Sequence, residues 1–492
     1  MGNQPGLKQP LYASLEQNLN QIKNITKNSS DLIIKTGMVC GNRIAVITCE
    51  GMISTDTLAQ LIYDKLNHLG NEEKMPPEEL LSHFFEVYLI AAEQLNITEF
   101  DDLILKYQSG FGIILIDGCT RAIAIGIQGY KSRGIDEPSA ELNVRGSREG
   151  FCEVIRTNMA LIRRRIKSPT LVFDLQTVGE RSNTDICLCY ISDKVSPKLL
   201  ENVRERLKSI DLNTILEGGY IQPYFEGKGG WFFSECGTCE RPETFAAKLY
   251  EGRVGILVDG TPFALIVPYL FIESFQTLDD YTQKPFYAFF IRSVRLFAYL
   301  ITLFFPGAYV AVASYHPEML PSSLILNLAA AEQTAPFSLM FECLFIHFMY
   351  EILREAGIRL PRPIGHAIGV VGGLVIGDIT VSAGLVGAPM VLVVALSGLC
   401  SFVVPMQYEK TVVLRFLYII AGGLFGLFGI FVLAGAVIIK MCSLNTYGIP
   451  YMAPISPFSK KALRDMFVRS GWKKLAKSNV VLQNLNGATT DD

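Results

Sequence analysis

Residues 363–378 read PIGHAIGVVGGLVIGD, and within them Gly365, Gly369, Gly373 and Gly377 recur every fourth position, with the acid Asp378 directly behind the last. On a helix that period places the four glycines close to one stripe, and a stripe without side chains lets a neighbouring backbone approach closely. The chain reads as a membrane protein built for tight helix packing. An ionisable group at membrane depth is costly unless it faces protein or water, so Asp378 is expected on a protein or aqueous face. Working outward, the apolar passage from Pro363 to Pro405 would be about 65 Å long as continuous helix, enough for two crossings of a bilayer core roughly 30 Å thick.

The neighbouring apolar segments fill out a helical region. Leu296–Tyr315 is an uncharged run with Pro306 inside it, a second runs from about Thr334 to Tyr350 and carries Glu342 and His347, and a last unbroken span is expected over Phe416–Ile439. Arg292 and Arg295 precede the first span, residues 316–333 hold no Lys or Arg, Arg354, Arg359 and Arg362 follow the second span, and the tail beyond Ile439 is basic. The positive-inside rule then places the soluble part, the Arg354 loop and the tail in the cytoplasm. That requires an even count, about four net crossings, with a re-entrant or broken helix inside residues 363–405. Lys410 fits this least well. Asp378 paired internally to His347 or Arg415 is the alternative to an acid lining a cavity.

At 492 residues, 50% hydrophobic with a net charge of -3, the chain gives no electrostatic reason to expect nucleic acid. Eleven cysteines scattered through apolar runs read as reduced thiols. The first residues, MGNQPGLKQP, lack the apolar core of a secretory signal, and Gly6 stands where myristoylation needs Ser or Thr. No phosphate loop follows a strand, because GKGG at residues 227–230 lacks the Walker spacing. Cys236 and Cys239 form a lone CxxC without a second pair, so no metal ligands and no cofactor are assigned. The histidines His68, His83, His316, His347 and His366 fit no catalytic or ligand spacing, and an enzyme is not expected.

Before the apolar half, two stretches share one plan. IAVITCEGMIS from Ile44 and ICLCYISDKVS from Ile186 each read as a buried strand, a turn and a serine opening a helix, with Ser54 and Ser196 as N-caps. GIILIDGCTRAIAIGI from Gly112 and GILVDGTPFALIVP from Gly255 each read as two strands joined at Asp-Gly, at Asp117 and Asp259. Both pairs are 142 residues apart, which points to duplicated α/β subdomains. The charged segment Ser147–Ile166 reads as a linking helix. Its Arg156, Arg163, Arg164 and Arg165 either meet an anionic partner or pair with nearby acids, and the pairing is favoured. The expected order is a flexible stretch over 1–30, α/β subdomains over 31–140 and 141–285, a transmembrane helical domain over 286–442 and a basic cytosolic tail over 443–492.

Several consecutive motifs carry a family resemblance: EPSAELNVRGSREGF from Glu137, NMALIRRRI from Asn158, ERPETFAAKLYEGRVGILVDGTPFALIVP from Glu240, PGAYVA from Pro306, REAGIRLPRPIG from Arg354 and YGIPYMAPISP from Tyr447. In this order the chain resembles the A subunits of GerA-type spore germinant receptors of endospore-forming bacteria. The resemblance implies a multi-pass protein of the spore inner membrane with a two-part cytosolic domain. It also implies a transporter-like nutrient-binding B subunit and a lipoprotein C subunit as partners, and an oligomeric, nutrient-gated channel that releases monovalent cations and starts germination. Ser147 departs from the proline many relatives carry, and the stretch after Arg469 lacks their proline-rich ending. The PRPIG at residues 361–365 leans to the receptor branch rather than the stage V sporulation AF branch, which amplifies ion release.

Under that resemblance several copies surround one axis in the lipid bilayer, with residues 364–384 facing it. Gly369, Gly373 and Gly377 set the approach, Val370, Leu374 and Ile376 form an apolar constriction, and Asp378 gives a ring of charge favouring cations. Gly365, Gly422 and Gly426 serve helix packing. The rival reading is a membrane-anchored signalling scaffold without a pore.

Overall fold

The structure is a computed structural model and describes residues 9–64, 66, 74–85, 93–129, 147–227, 232–332, 335–360, 377–459, 471, 482, 485 and 488. They fall into two compact units, the first made of residues 1–269, 445–449 and 479–492, the second of 270–444 and 450–478.

In the first unit two five-stranded antiparallel sheets repeat one topology. The first comprises β1 (Leu32–Val39), β2 (Asn42–Cys49), β3 (Gln94–Ile97), β4 (Phe111–Ile116) and β5 (Ala122–Gly126) in the order β1-β2-β4-β5-β3. The second comprises β6 (Leu171–Val178), β7 (Thr184–Ile191), β8 (Gly237–Cys239), β9 (Val254–Val258) and β10 (Ala264–Val267) in the order β6-β7-β9-β10-β8. Register repeats as well: Ile44 lies opposite Ile116, and Ile186 opposite Val258.

Both faces of each sheet are covered, which is why the central strands are apolar throughout rather than alternating. Ala45, Ile47 and Cys49 pack on one side with α1 (Leu15–Ile25), while Ile44 and Val46 pack on the other with α2 (Pro77–His83). The helix α3 (Phe100–Tyr107) adds Phe100, Leu103, Ile104 and Tyr107 to the α1 side. In the second sheet α4 (Ile155–Arg165) and α7 (Pro242–Tyr250) cover the Cys187 face, and α5 (Pro197–Lys208) and α6 (Gly218–Phe225) the Ile186 face.

The helix α1 corrects the expectation of a flexible stretch over 1–30, at least from Leu15 onward. It is the first copy of α4, and the two are fixed alike. Asp117 Oδ1 accepts from Leu15 N at 2.9 Å, and Asp259 Oδ1 from Ile155 N at 3.0 Å, so each Asp-Gly turn caps the opening helix of its own copy. Asn18 grips the backbone of Tyr12, at 2.9 Å and 2.7 Å, as Asn158 grips Cys152, at 2.9 Å and 2.6 Å. Gly118 and Gly260, at φ +95° and +86°, supply the left-handed residue these turns need. Ser54 accepts from Thr57 N at 3.2 Å, whereas Ser196 occupies the N-cap position of α5 without a side-chain cap bond.

The arginines of α4 all meet acids. Arg163 is buried and bidentate on buried Asp31, with Nε to Oδ2 at 2.8 Å and Nη2 to Oδ1 at 3.1 Å, and so ties the two sheets together. Arg156 pairs with Glu50, and Arg164 and Arg165 with Glu149. The thiols of Cys236 and Cys239 are buried, and burial pushes that of Cys236 up.

The described helices of the second unit include α8 (Pro285–Tyr315), α9 (Leu339–Arg359), α10 (Ala388–Ser401) and α11 (Tyr408–Cys442). α8 is long and apolar enough to cross a membrane, and so is α11 when taken end to end. Buried Asp280 gathers Arg292 and Arg295, at 2.9 Å and 2.8 Å, at the start of α8.

The last helix differs from the unbroken span expected over Phe416–Ile439. Gly426 sits at φ 61° and ψ -150°, which no helix contains. A Cβ on Gly429 would lie 2.5 Å from Ala421 O, although a straight helix would hold residues eight apart about 12 Å from each other. The chain therefore folds back at Gly426. Its ends agree: Gln407, just before α11, donates to Ser274 Oγ at 2.7 Å, and Tyr451, nine residues beyond it, accepts from Phe271 N at 3.1 Å. A straight helix of this length would part those ends by about 50 Å, more than nine extended residues can span.

Candidate functional site

Of the residues the sequence singles out, Gly365, Gly369, Val370, Gly373, Leu374 and Ile376 lie outside the described residues. Gly377 and Asp378 open a short helical stretch over 377–382, where Asp378 is exposed and, among the described residues, enters no ion pair. Arg415, one of its expected partners, pairs elsewhere.

That pairing builds the polar centre of the second unit. On α9, His347 and Glu351 lie four residues apart on one face, with Arg354 one turn further. Glu351 faces α11, where Oε1 takes a hydrogen bond from buried Arg415 and Oε2 one from Tyr408 Oη at 2.6 Å. Arg354 Nε reaches the same Oε2 at 3.2 Å, and its guanidinium lies 3.6 Å from the centre of the Tyr408 ring. One carboxylate thus serves two arginines and a phenol. His347 is buried beside the Phe416 ring at 6.3 Å. Glu342, also buried, accepts from Gly387 N at 2.5 Å and so places a carboxylate at the N-terminus of α10, where the helix dipole favours negative charge.

The glycines of α11 do two different things. Gly422 meets Gly307 of α8 backbone to backbone: a Cβ on Gly422 would lie 2.5 Å from Gly307 O, and one on Gly307 2.6 Å from Tyr418 O. Gly426 is the fold-back point itself. Tyr315, the last residue of α8, lays its ring against Gly426 and donates its hydroxyl to Gly423 O at 2.8 Å, with Leu424 O at 3.3 Å. From Gly307 to Tyr315 and from Gly422 to Gly426, α8 and the first limb of α11 run in the same direction. Sequence reading missed this break because a glycine at positive φ and a glycine in a tight helix contact look alike as letters.

A stretch after α11 belongs to the first unit. Tyr447 is buried among the α5 and α6 side chains, its hydroxyl donating to Phe225 O and the Arg206 guanidinium 5.2 Å above its ring. Thr446 N donates to Glu235 Oε1 at 2.9 Å. Burial raises the Glu235 carboxyl above its usual range, and the Thr446 bonds only partly offset this.

The model of the Bacillus/Clostridium GerA spore germination protein family matches residues 20–480. The chain is 37% identical to Spore germination protein KA of Bacillus subtilis (strain 168), covering 93% of this chain and 85% of that protein. It is 31% identical to Stage V sporulation protein AF of the same strain, covering 90% and 89%. Among solved structures, the N-terminal domain of the A subunit of the Bacillus megaterium spore germinant receptor GerK3 is 29% identical, covering 54% of this chain and 98% of that one, with a TM-score of 0.42. With its two duplicated α/β sheets followed by apolar helices, this chain belongs to the GerA family of spore germination proteins.

Proposed function

We propose that the protein is the A subunit of a spore nutrient germinant receptor and that copies of it assemble in the spore inner membrane into a nutrient-gated channel for monovalent cations. The observation that carries the receptor reading is the family match, which runs through both units. The higher identity to Spore germination protein KA than to Stage V sporulation protein AF favours a receptor subunit over the ion-release amplifier. In this reading a transporter-like B subunit binds the nutrient, a lipoprotein C subunit completes the complex, the first unit lies in the cytosol, and the chain itself catalyses no reaction.

For the channel, support comes from the passage ending at Asp378. Its carboxylate is exposed on an otherwise apolar segment, and a ring of such groups around an axis favours cations. Val370 and its apolar neighbours are the constriction, and nutrient binding on the partner shifts closed toward open by its differential affinity for the two states. Spores carrying Val370→Ala should leak potassium without nutrient, measured by flame photometry of the medium. Ion retention equal to the parent would remove Val370 as a gate.

A further inference from the structure

The fold-back at Gly426 interrupts the helical backbone of α11. Carbonyls in the last turn before such a break are the ones that need partners outside their own helix. At Gly426 two of these, Gly423 O and Leu424 O, converge on a single atom, the Tyr315 hydroxyl, at 2.8 Å and 3.3 Å. One hydroxyl proton cannot bond two acceptors well at once. Two carbonyl oxygens aimed at one point, beside a hydroxyl that can turn its own oxygen inward, form instead the all-oxygen arrangement that suits a hard monovalent cation. The point is reachable, since Tyr315 and Leu424 are both exposed.

We propose that the tip of this helical hairpin is a binding site for a partly dehydrated monovalent cation, ligated by Gly423 O, Leu424 O and the Tyr315 hydroxyl oxygen, with that hydroxyl's proton holding the carbonyls when no cation is bound. The site deepens the channel reading, but it is tested by binding rather than flux, so the failure of one is separable from the failure of the other.

The full chain in lipid nanodiscs is unfolded thermally in potassium chloride and in choline chloride at equal ionic strength, choline being too large for the tip. A bound cation stabilises by mass action, so the midpoint should be higher in potassium by about 2 °C or more. Tyr315→Phe keeps the ring and should lose most of that difference. A hydroxyl that only caps the break would lower the midpoint equally in both salts, which overturns the proposal, as does a parent chain whose midpoint is the same in both. Should Tyr315→Phe not fold, thallium(I) difference density in the parent decides: a peak at the tip supports the site, and none there rejects it.

Discussion

Glu235 shows what burial does to a single carboxylate. Its folded pKa lies above the unfolded value, so the folded state holds the proton more tightly. The stability this gives is complete below the ordinary carboxylate range and is lost as pH rises through the raised value. Glu235→Gln keeps an acceptor for Thr446 and carries no charge. The variant should therefore show a smaller fall in thermal midpoint between mildly acidic and alkaline pH than the parent, followed by circular dichroism. An unchanged fall would mean that other groups set the pH dependence. At this scale part was legible: Ser54 caps its helix and Asp117 and Asp259 stand in the hairpin turns, as short acceptors do, whereas Ser196 makes no cap bond and the bonds from the two aspartates to Leu15 N and Ile155 N were not read from the sequence. The partners of Arg415 and Arg163 were not legible, since a guanidinium pairs with whatever the fold brings near, and Asp31 lies 132 residues from Arg163.

Elements add packing to propensity. Gly422 and Gly435 both sit within α11, yet a Cβ on the first would collide with the backbone of α8, while one on the second would meet nothing within 4 Å. Gly422→Val should lower the thermal midpoint by an amount equivalent to about 1–3 kcal/mol, the usual range for overpacking. Gly435→Ala should be neutral or raise stability by up to about 1 kcal/mol, because glycine is a poor helix former. Equal effects from the two would mean that the Gly307 contact is not what requires glycine. The strands were legible as elements because covering both faces leaves a continuous apolar run. The break inside α11 was not, because hydropathy sees an uncharged stretch and is blind to the sign of φ.

For the whole molecule the consequence is topological. With Gln407 and Tyr451 both held at the 271–275 turn, the two ends of α11 lie at one end of the second unit. In a membrane, single cysteines introduced at Lys410 and Lys440 should therefore react with an impermeant maleimide from the same side, in a background with the exposed Cys442 replaced. Labelling from opposite sides would mean that α11 crosses once, as a straight span. The hairpin also removes the conflict Lys410 posed for the positive-inside rule, since its first limb then starts on the side to which the basic tail returns.

The sequence by itself determined the family, the duplication and the apolar character of the second half, because these rest on local chemistry: strand periodicity, short capping side chains at a fixed offset, and runs without charge. It did not reveal that α1 is the missing first copy of α4, that Glu351 rather than Asp378 holds Arg415, or that the last helix turns back on itself. Those were decided by the tertiary structure, because each depends on which distant groups share a desolvated space, where an unpaired charge or carbonyl must find a partner and only the completed packing settles which one it finds.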